Sequence, residues 1–215
     1  MTATLFIIAA PSGAGKTSLV KALVNSAKNI VVSVSHTTRA KRPGEKNGID
    51  YHFISHDEFH KMVERDEFLE HAKVFDHCYG TSRQWLLDTL RKGQDVILEI
   101  DWQGARQIRE ALEGTLSICI LPPSRASLEQ RLRGRGTDGE EVIARRMRDA
   151  VNEMSHYNEA EYLVVNDDFE TALDELKTIV AATRLRLVPQ AAKHKELLAD
   201  LVTTRPLSLP PKPFE

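Results

Sequence analysis

The stretch LFIIAAPSGAGKTSLVKAL, residues 5–23, decides the fold of this chain. Residues 5–8 form an apolar run that is typical of a strand buried on both faces. Small residues and a proline follow, and then Leu19, Val20 and Leu23 recur at helical spacing. The stretch therefore predicts a strand, a loop and a helix, in that order.

The loop of this unit fits the phosphate-binding pattern GxxxxGK[ST]. Residues 10–17 read APSGAGKT, so only the first glycine is replaced, by alanine. Glycines permit unusual backbone conformations, and successive N–H groups can cradle phosphate oxygens. We expect Lys16 to reach the β- and γ-phosphates of ATP and the Thr17 hydroxyl to bind Mg²⁺. An ordinary glycine-rich turn is the alternative, but the flanking strand and helix favour the phosphate loop. The predicted ATP-binding residues of the loop are Pro11, Ser12, Gly13, Ala14, Gly15, Lys16, Thr17 and Ser18.

Composition excludes several classes of partner and location. The 215 residues carry a net charge of −2, so there is no global basic field for a nucleic acid. Cys78 and Cys119 form no CxxC pair, which favours a reduced, cytoplasmic setting. The apolar run at the N-terminus is too short to span a membrane and lacks the basic residues of a signal peptide. We therefore expect no nucleic-acid partner and no membrane association.

Strands alternate with helices along the rest of the chain, which predicts an α/β fold. We expect a mostly parallel five-stranded sheet with helices on both faces, plus an inserted α+β subdomain and a helical lid. The predicted strands of the main sheet are residues 5–8, 30–35, 95–101, 116–121 and 162–165. A capping box at residues 137–140 predicts a long helix with Ile143, Met147, Val151 and Met154 on one face. Residues from 168 to about 201 are predicted to be helical.

Several further motifs resemble those of guanylate kinases of the bacterial type. They are SVSHTTRAKRPGEKNGIDYHF, FLEHAKVFDHCYGTS, ILEIDWQG, LPPSRASLEQRLRGRG and VVNDDF, and the match runs in order over residues 5–185. The resemblance implies transfer of the γ-phosphoryl group of ATP to GMP, with Mg²⁺ as cofactor. It also implies a phosphate-loop core (1–35, 94–123 and 158–188), a GMP-binding subdomain (36–93) and a lid (124–157). Residues 189–215 are left as a C-terminal helix and a proline-rich tail.

The resemblance assigns an anion site to the inserted subdomain. Arg39 and Arg42 would bind the GMP phosphate, since guanidinium groups match phosphate oxygens bidentately. The hydroxyls of Tyr51 and Tyr79 would help, and Glu45 would orient an arginine. A solvated charged loop is the alternative for this segment.

Two carboxylates are implied to recognise the guanine base. Glu70 and Asp101 would accept hydrogen bonds from N1–H and the 2-amino group, while Ser35 and Thr81 would donate to O6. Adenine has no N1–H, so AMP would leave a buried carboxylate without a donor. The alternatives are that Glu70 is a surface strand residue and that Asp101 caps the helix that begins at Trp102.

The remaining implied residues concern transfer and the ATP base. Arg131, Arg135 and Arg146 of the lid would neutralise charge on the migrating phosphoryl group, as Lys16 would. Glu99 is the candidate for holding Mg²⁺ through water, together with Thr17. Asn166 is expected near the adenine.

Two rival functions and one structural question stay open at this level. The chain could be a kinase for another nucleoside monophosphate, or a guanylate-kinase-like scaffold that binds proteins without catalysis. The C-terminal helix could mediate a homo-oligomer or could cover the chain's own core.

Overall fold

Strands and helices alternate along the chain in this computed structural model, which describes residues 3–74, 76–134 and 139–203. The strands are β1 (Leu5–Ala9), β2 (Ile30–Val32), β3 (His36–Thr37), β4 (His52–Phe53), β5 (Phe68–Val74), β6 (His77–Ser82), β7 (Asp95–Leu98), β8 (Leu116–Leu121) and β9 (Tyr162–Val165). The helices are α1 (Lys16–Ser26), α2 (His56–Glu64), α3 (Arg83–Arg91), α4 (Trp102–Ala111), α5 (Arg125–Arg133), α6 (Glu140–Ser155), α7 (Phe169–Arg184), α8 (Leu187–Lys193) and α9 (Lys195–Val202), with a short 3₁₀ helix at Tyr157–Glu159.

The main sheet has five strands in the order β2-β7-β1-β8-β9. All four pairings are parallel, with β1 in the centre. The predicted five-stranded parallel sheet is therefore confirmed. The central position of β1 explains its apolar sequence, because helices cover both faces of the strand.

Alternate residues of β1 enter two separate hydrophobic clusters. Phe6 and Ile8 pack with residues of α1 and α7, whereas Leu5 and Ile7 pack with residues of α3 and α4. Successive side chains of a strand point to opposite faces, so this division follows from the strand itself. The two clusters hold the sheet between helices on both sides.

A second sheet has the order β4-β3-β6-β5 and includes both antiparallel and parallel pairs. Helix α2 belongs to the same part of the chain, and its N-cap Ser55 accepts a hydrogen bond from the N–H of Glu58 at 3.1 Å, as its capping-box sequence indicates. The predicted cap of α3 by Ser82 is confirmed as well.

However, α3 buries Leu86 and Leu90 in a cluster of the main sheet. The division of the chain into core, GMP-binding subdomain and lid stays a prediction.

Two predicted strands end earlier than expected. β2 ends at Val32 rather than Ser35, since the chain crosses there to the second sheet and the Ser35 carbonyl accepts from the N–H of His52. β7 ends at Leu98 rather than Asp101, because Asp101 is the N-cap of α4. Because both strands end early, the side chains that follow them, among them Ser35 and Asp101, lie in the space between the two sheets.

Helices α5 and α6 pack on one another through Leu128, Leu132 and Ala150, with Met147 and Met154 partly buried. The prediction that Val151 lies on the buried face is wrong, since Val151 is exposed and Ala150 takes its place. Ala150 lies three residues after Met147 and four before Met154, so it completes the same face. Thr137 of the predicted capping box lies outside the described residues, and Gly139 is the N-cap of α6.

The C-terminal region forms three helices instead of one. α7 ends at Arg184, and Arg186 then adopts an extended backbone before α8. Pro189 lies in the first turn of α8, where proline is tolerated. Several large apolar side chains of this region are exposed, namely Leu185, Leu187, Val188, Leu197, Leu201 and Val202. The proline-rich tail at 205–215 lies outside the described residues. None of the helices in the described ranges combines the length and the apolar character needed to cross a bilayer.

Candidate active site

A cleft of about 620 Å³ opens at the carboxyl ends of β1 and β7. Its walls come from the phosphate loop, the second sheet, residues 99–101 and helix α6. Lys16 and Arg39 both line it, so the two predicted anion sites share one cavity. The predicted site residues along its walls are Pro11, Ser12, Gly13, Gly15, Lys16, Thr17, Ser18, Ser35, Arg39, Arg42, Tyr51, Glu70, Tyr79, Glu99, Asp101 and Arg146.

The phosphate loop has the backbone that its glycines predict. Gly13 and Gly15 have φ angles of 95° and 94°, a region that residues with a side chain rarely adopt. Helix α1 begins at Lys16, directly after Gly15, so the positive end of its dipole faces the cleft. Backbone amides, the helix dipole and the Lys16 ammonium thus combine at one wall of the cavity.

Asn166, the residue after β9, stabilises this loop. Its side-chain amide donates to the Ala14 carbonyl at 2.6 Å, and only 5% of the residue is exposed. A Cβ at Gly15 would lie 2.4 Å from the Asn166 amide nitrogen, so glycine is also needed there for space. The expectation that Asn166 lies near the adenine stays a prediction, and its observed contact is with the loop.

A hydroxyl and a carboxylate meet beside the loop. The Thr17 hydroxyl donates to Glu99 Oε2 at 3.2 Å. Both oxygens are of the kind that Mg²⁺ prefers, and Mg²⁺ usually binds one or two protein groups together with phosphates and water. The pair therefore fits the metal site expected from the sequence. The described part of the chain holds no cluster of three or more His, Cys, Asp or Glu that could hold a metal by itself.

Arg39 is held in place by Glu45. Two hydrogen bonds join the guanidinium group to the carboxylate, at 2.7 and 3.1 Å. The hydrogen bond from Arg39 is the main cause that lowers the pKa of Glu45, and the same bond raises the pKa of Arg39. The predicted orienting contact of Glu45 is thus present, although Glu45 itself does not line the cleft.

Aromatic rings surround the same guanidinium group. Its carbon lies 5.3 Å from the centre of the Tyr51 ring and 5.7 Å from that of Phe53. The rings of Tyr51 and Tyr79 meet edge to face at 5.9 Å. Burial raises the pKa of the Tyr51 hydroxyl, which therefore remains a hydrogen-bond donor at neutral pH. Arg39 and the two phenols thus line the cleft together.

Glu70 is a buried carboxylate that lines the cavity. It is only 3% exposed, so the alternative of a surface strand residue is wrong. Burial raises the pKa of Glu70 to about 7, and the negative charge of Asp101 adds to the effect. The hydroxyl of Thr81, which is fully buried, donates to Glu70 Oε1 at 2.6 Å. In this structure Thr81 therefore holds Glu70, whereas we expected its hydroxyl to donate to O6 of guanine.

Asp101 performs the structural role that the sequence left open. Its Oδ1 accepts from the N–H of Gly104 at 2.9 Å and so caps α4. Asp101 also lines the cleft. The cap and the predicted contact with guanine are compatible, because a carboxylate has two oxygens.

The arginines of the predicted lid are divided between two positions. Arg146 and Arg145 line the cleft from α6. Arg131 is on α5, where its guanidinium group donates to the Asn166 carbonyl at 3.0 Å, and it does not line the cleft. Arg135 lies outside the described residues.

Two carboxylates of the cleft, Asp149 and Glu153, were not predicted. Glu153 of α6 lines the cavity, and burial raises its pKa to about 7, with a further contribution from Asp101. Lys16 and His156 act in the opposite direction. The helical spacing of Arg146, Asp149 and Glu153 was the available signal, since residues three and four apart share a face.

Comparisons with known proteins agree on one family. The family model described as guanylate kinase matches residues 2–183. The chain is 60% identical to a guanylate kinase of Saccharophagus degradans, over 94% of this chain and 98% of that protein. It is 57% identical to that of Escherichia coli K12, over 93% and 97% of the two chains. The crystal structure of guanylate kinase from Anaplasma phagocytophilum superposes with a TM-score of 0.73 at 34% identity, covering 93% of this chain and 95% of that one.

Proposed function

The chain belongs to the guanylate kinase family, and we infer that it catalyses transfer of the γ-phosphoryl group of ATP to GMP, giving ADP and GDP. The observation that carries this function is the single cleft between Lys16 and Arg39. The phosphate loop, Arg39 and the buried carboxylate of Glu70 all line it, so it can hold two nucleotides with their phosphates facing each other.

The phosphate loop is the proposed ATP site. Its backbone N–H groups and Lys16 would bind the β- and γ-phosphates, and the Thr17 hydroxyl and Glu99 would hold Mg²⁺. When bound, the cation would neutralise charge on the phosphate oxygens. Asn166 would support this site by holding the loop at the Ala14 carbonyl.

Arg39 and Arg42 are the proposed ligands of the GMP phosphate. Glu45 holds Arg39 and also accepts from the backbone N–H of Arg42 at 2.7 Å. The guanidinium group of Arg39 is therefore oriented before substrate arrives, which reduces the entropy lost on binding, while Arg42 is held at its backbone. Tyr51 and Tyr79 would add hydroxyl contacts.

Glu70 and Asp101 are the proposed readers of guanine. The ionised carboxylates can accept from N1–H and the 2-amino group, whereas adenine offers an unprotonated N1 in that place. An unpaired buried carboxylate costs on the order of several kcal/mol, which favours GMP over AMP. Because burial raises the pKa of Glu70 to about 7, its neutral and ionised forms are close in free energy at neutral pH. A donor such as N1–H of guanine would stabilise the ionised form.

Transfer itself needs alignment and charge neutralisation more than acid–base chemistry. The GMP phosphate is already an anionic nucleophile. Lys16, Arg146, Arg131 and Arg135 are the proposed cations for the migrating group. Closure of the lid and the GMP-binding part would exclude water, which would otherwise accept the phosphoryl group.

Two rivals are less well supported. A non-catalytic scaffold would not need Lys16, Thr17 and the arginines that line the cleft. Steady-state assays of GMP, AMP, dTMP and UMP with ATP and Mg²⁺ test the choice of acceptor. We expect GMP to be strongly preferred, and preference for another base would overturn the assignment.

The free thiols of Cys78 and Cys119 support the expectation of a reducing, cytoplasmic compartment.

A further inference from the structure

Helix α4 holds the strand that carries Glu70. The side-chain amide of Gln107 makes two hydrogen bonds to the backbone of His71, accepting from its N–H at 3.1 Å and donating to its carbonyl at 3.0 Å. β5 is the edge strand of the second sheet, so these outward peptide groups are available to a side chain. Gln107 thereby anchors the backbone next to Glu70.

Gly104 leaves the space that the Glu70 carboxylate occupies. A Cβ at position 104 would lie 2.8 Å from Glu70 Oε2 and 3.4 Å from the Cβ of Ile100. The first distance is shorter than any ordinary carbon–oxygen contact. Gly104 is inside α4 and has no positive φ, so its backbone conformation does not require glycine. The close approach of Glu70 is what excludes a side chain.

A side chain at position 104 would displace the carboxylate more easily than the fold. The end of a glutamate side chain can rotate, whereas the backbone near it is fixed by Gln107. Rotation would break the 2.6 Å hydrogen bond from Thr81 to Glu70. The hydrogen bond from the Gly104 N–H to Asp101 is made by the backbone and would remain. The disturbance is therefore confined to one of the two carboxylates.

We propose that Gly104 and Gln107 are positioning residues that determine guanine specificity by fixing the carboxylate of Glu70. The proposal rests on the proposed function in one respect, namely that Glu70 reads the base. Gly104 sets how far the carboxylate extends toward α4, and Gln107 sets the position of the strand from which it extends. Neither residue needs to touch the nucleotide.

The test compares Gly104→Ala and Gln107→Ala with Gln103→Ala, which changes an exposed residue of the same helix. Steady-state KM for GMP, KM for ATP, kcat and the GMP-to-AMP preference are measured for each. We expect Gly104→Ala to raise the KM for GMP roughly 10- to 100-fold and to lower the GMP-to-AMP preference. The KM for ATP should stay within about twofold of the parent value, as should every constant of Gln103→Ala. Gln107→Ala should shift the same two GMP parameters by a smaller factor.

Glu70→Gln separates failure of this inference from failure of the proposed function. If Glu70→Gln leaves the KM for GMP and the base preference unchanged, Glu70 does not read the base and the proposed role is wrong. If Glu70→Gln changes both while Gly104→Ala and Gln107→Ala change neither, the inference alone is overturned.

The double variant Glu70→Ala/Gly104→Ala distinguishes positioning from a general packing defect. Without the Glu70 carboxylate, a methyl group at position 104 no longer meets an oxygen. Alanine also favours the helix more than glycine does, so the midpoint of thermal unfolding should equal or exceed that of Glu70→Ala alone. A lower midpoint would show that position 104 needs glycine for another reason, and this would overturn the proposal even if Gly104→Ala alone fails to fold.

Discussion

The guanidinium group of Arg39 and the carboxylate of Glu45 form two parallel hydrogen bonds, at 2.7 and 3.1 Å. The same carboxylate accepts from the backbone N–H of Arg42 at 2.7 Å. One residue outside the cleft thus orients the guanidinium group of Arg39 and holds the backbone of Arg42.

Replacement of Glu45 by glutamine should weaken GMP binding without affecting ATP. Glutamine offers one acceptor oxygen, and its amide NH₂ group, which is a donor, would face the donor groups of the Arg39 guanidinium. Loss of a charge-assisted hydrogen bond predicts a rise in the KM for GMP of roughly 3- to 10-fold. Glu58→Gln is the matched control, because Glu58 forms an exposed ion pair with Arg65 on α2. Equal KM values for GMP in the two variants would contradict the orienting role.

Lys16→Ala should abolish most of the activity while the fold persists. Lys16 is the ammonium group at the start of α1, beside the positions proposed for the transferred phosphoryl group. Loss of one such stabilising group typically lowers kcat by roughly 100- to 1,000-fold. Lys21→Ala, at an exposed position of the same helix, should have parental kcat. Circular dichroism checks the fold, and a Lys16→Ala enzyme with parental kcat would exclude the proposed mechanism.

The KM for GMP should fall as pH rises through about 7. Burial raises the pKa of Glu70 to about 7, so the ionised carboxylate that is proposed to accept from guanine predominates only above that pH. The GMP phosphate also titrates, with a pKa of about 6, in every variant. The measurement is therefore the difference between the pH profiles of KM for GMP in the parent and in Glu70→Gln. Parallel profiles would argue against ionised Glu70 as the reader of the base.

Acid should destabilise the protein through His36. Its ring stacks on that of His52 at a centroid distance of 4.6 Å, and burial, with a smaller effect of His52, lowers the pKa of His36 to about 4. In the unfolded state His36 binds a proton near pH 6.5. The contribution of the buried, neutral His36 ring to stability is therefore full above pH 6.5 and is lost as the pH falls toward 4. The loss amounts to at most about 3 kcal/mol.

The measurement for His36 is the free energy of unfolding by urea between pH 7 and 4. His36→Phe keeps a ring against His52 but does not titrate, so its stability should depend less on pH. His56→Gln, at an exposed position, should follow the parent. An unchanged pH dependence in His36→Phe would assign the acid sensitivity to other groups.

Local patterns in the sequence were sufficient to predict most of the architecture. The glycines of the phosphate loop, the start of α1 and the caps Ser55 and Ser82 each depend on residues within a few positions of one another. The alternation of apolar strands with helices predicted the parallel sheet for the same reason, because strand and helix periodicities are local. The phosphate-loop pattern supplied the candidate residues of the ATP site, and the resemblance to guanylate kinases supplied those of the GMP site.

Only the tertiary structure decided which distant groups meet. The contact of Asn166 with Ala14 joins residues 152 positions apart, and the space that Gly104 leaves for Glu70 depends on how α4 packs against β5. Likewise, the burial that raises the pKa of Glu153 comes from its position in the folded cleft. Such distances and desolvation arise from packing between separate elements, and the spacing of residues along the chain carries no measure of them.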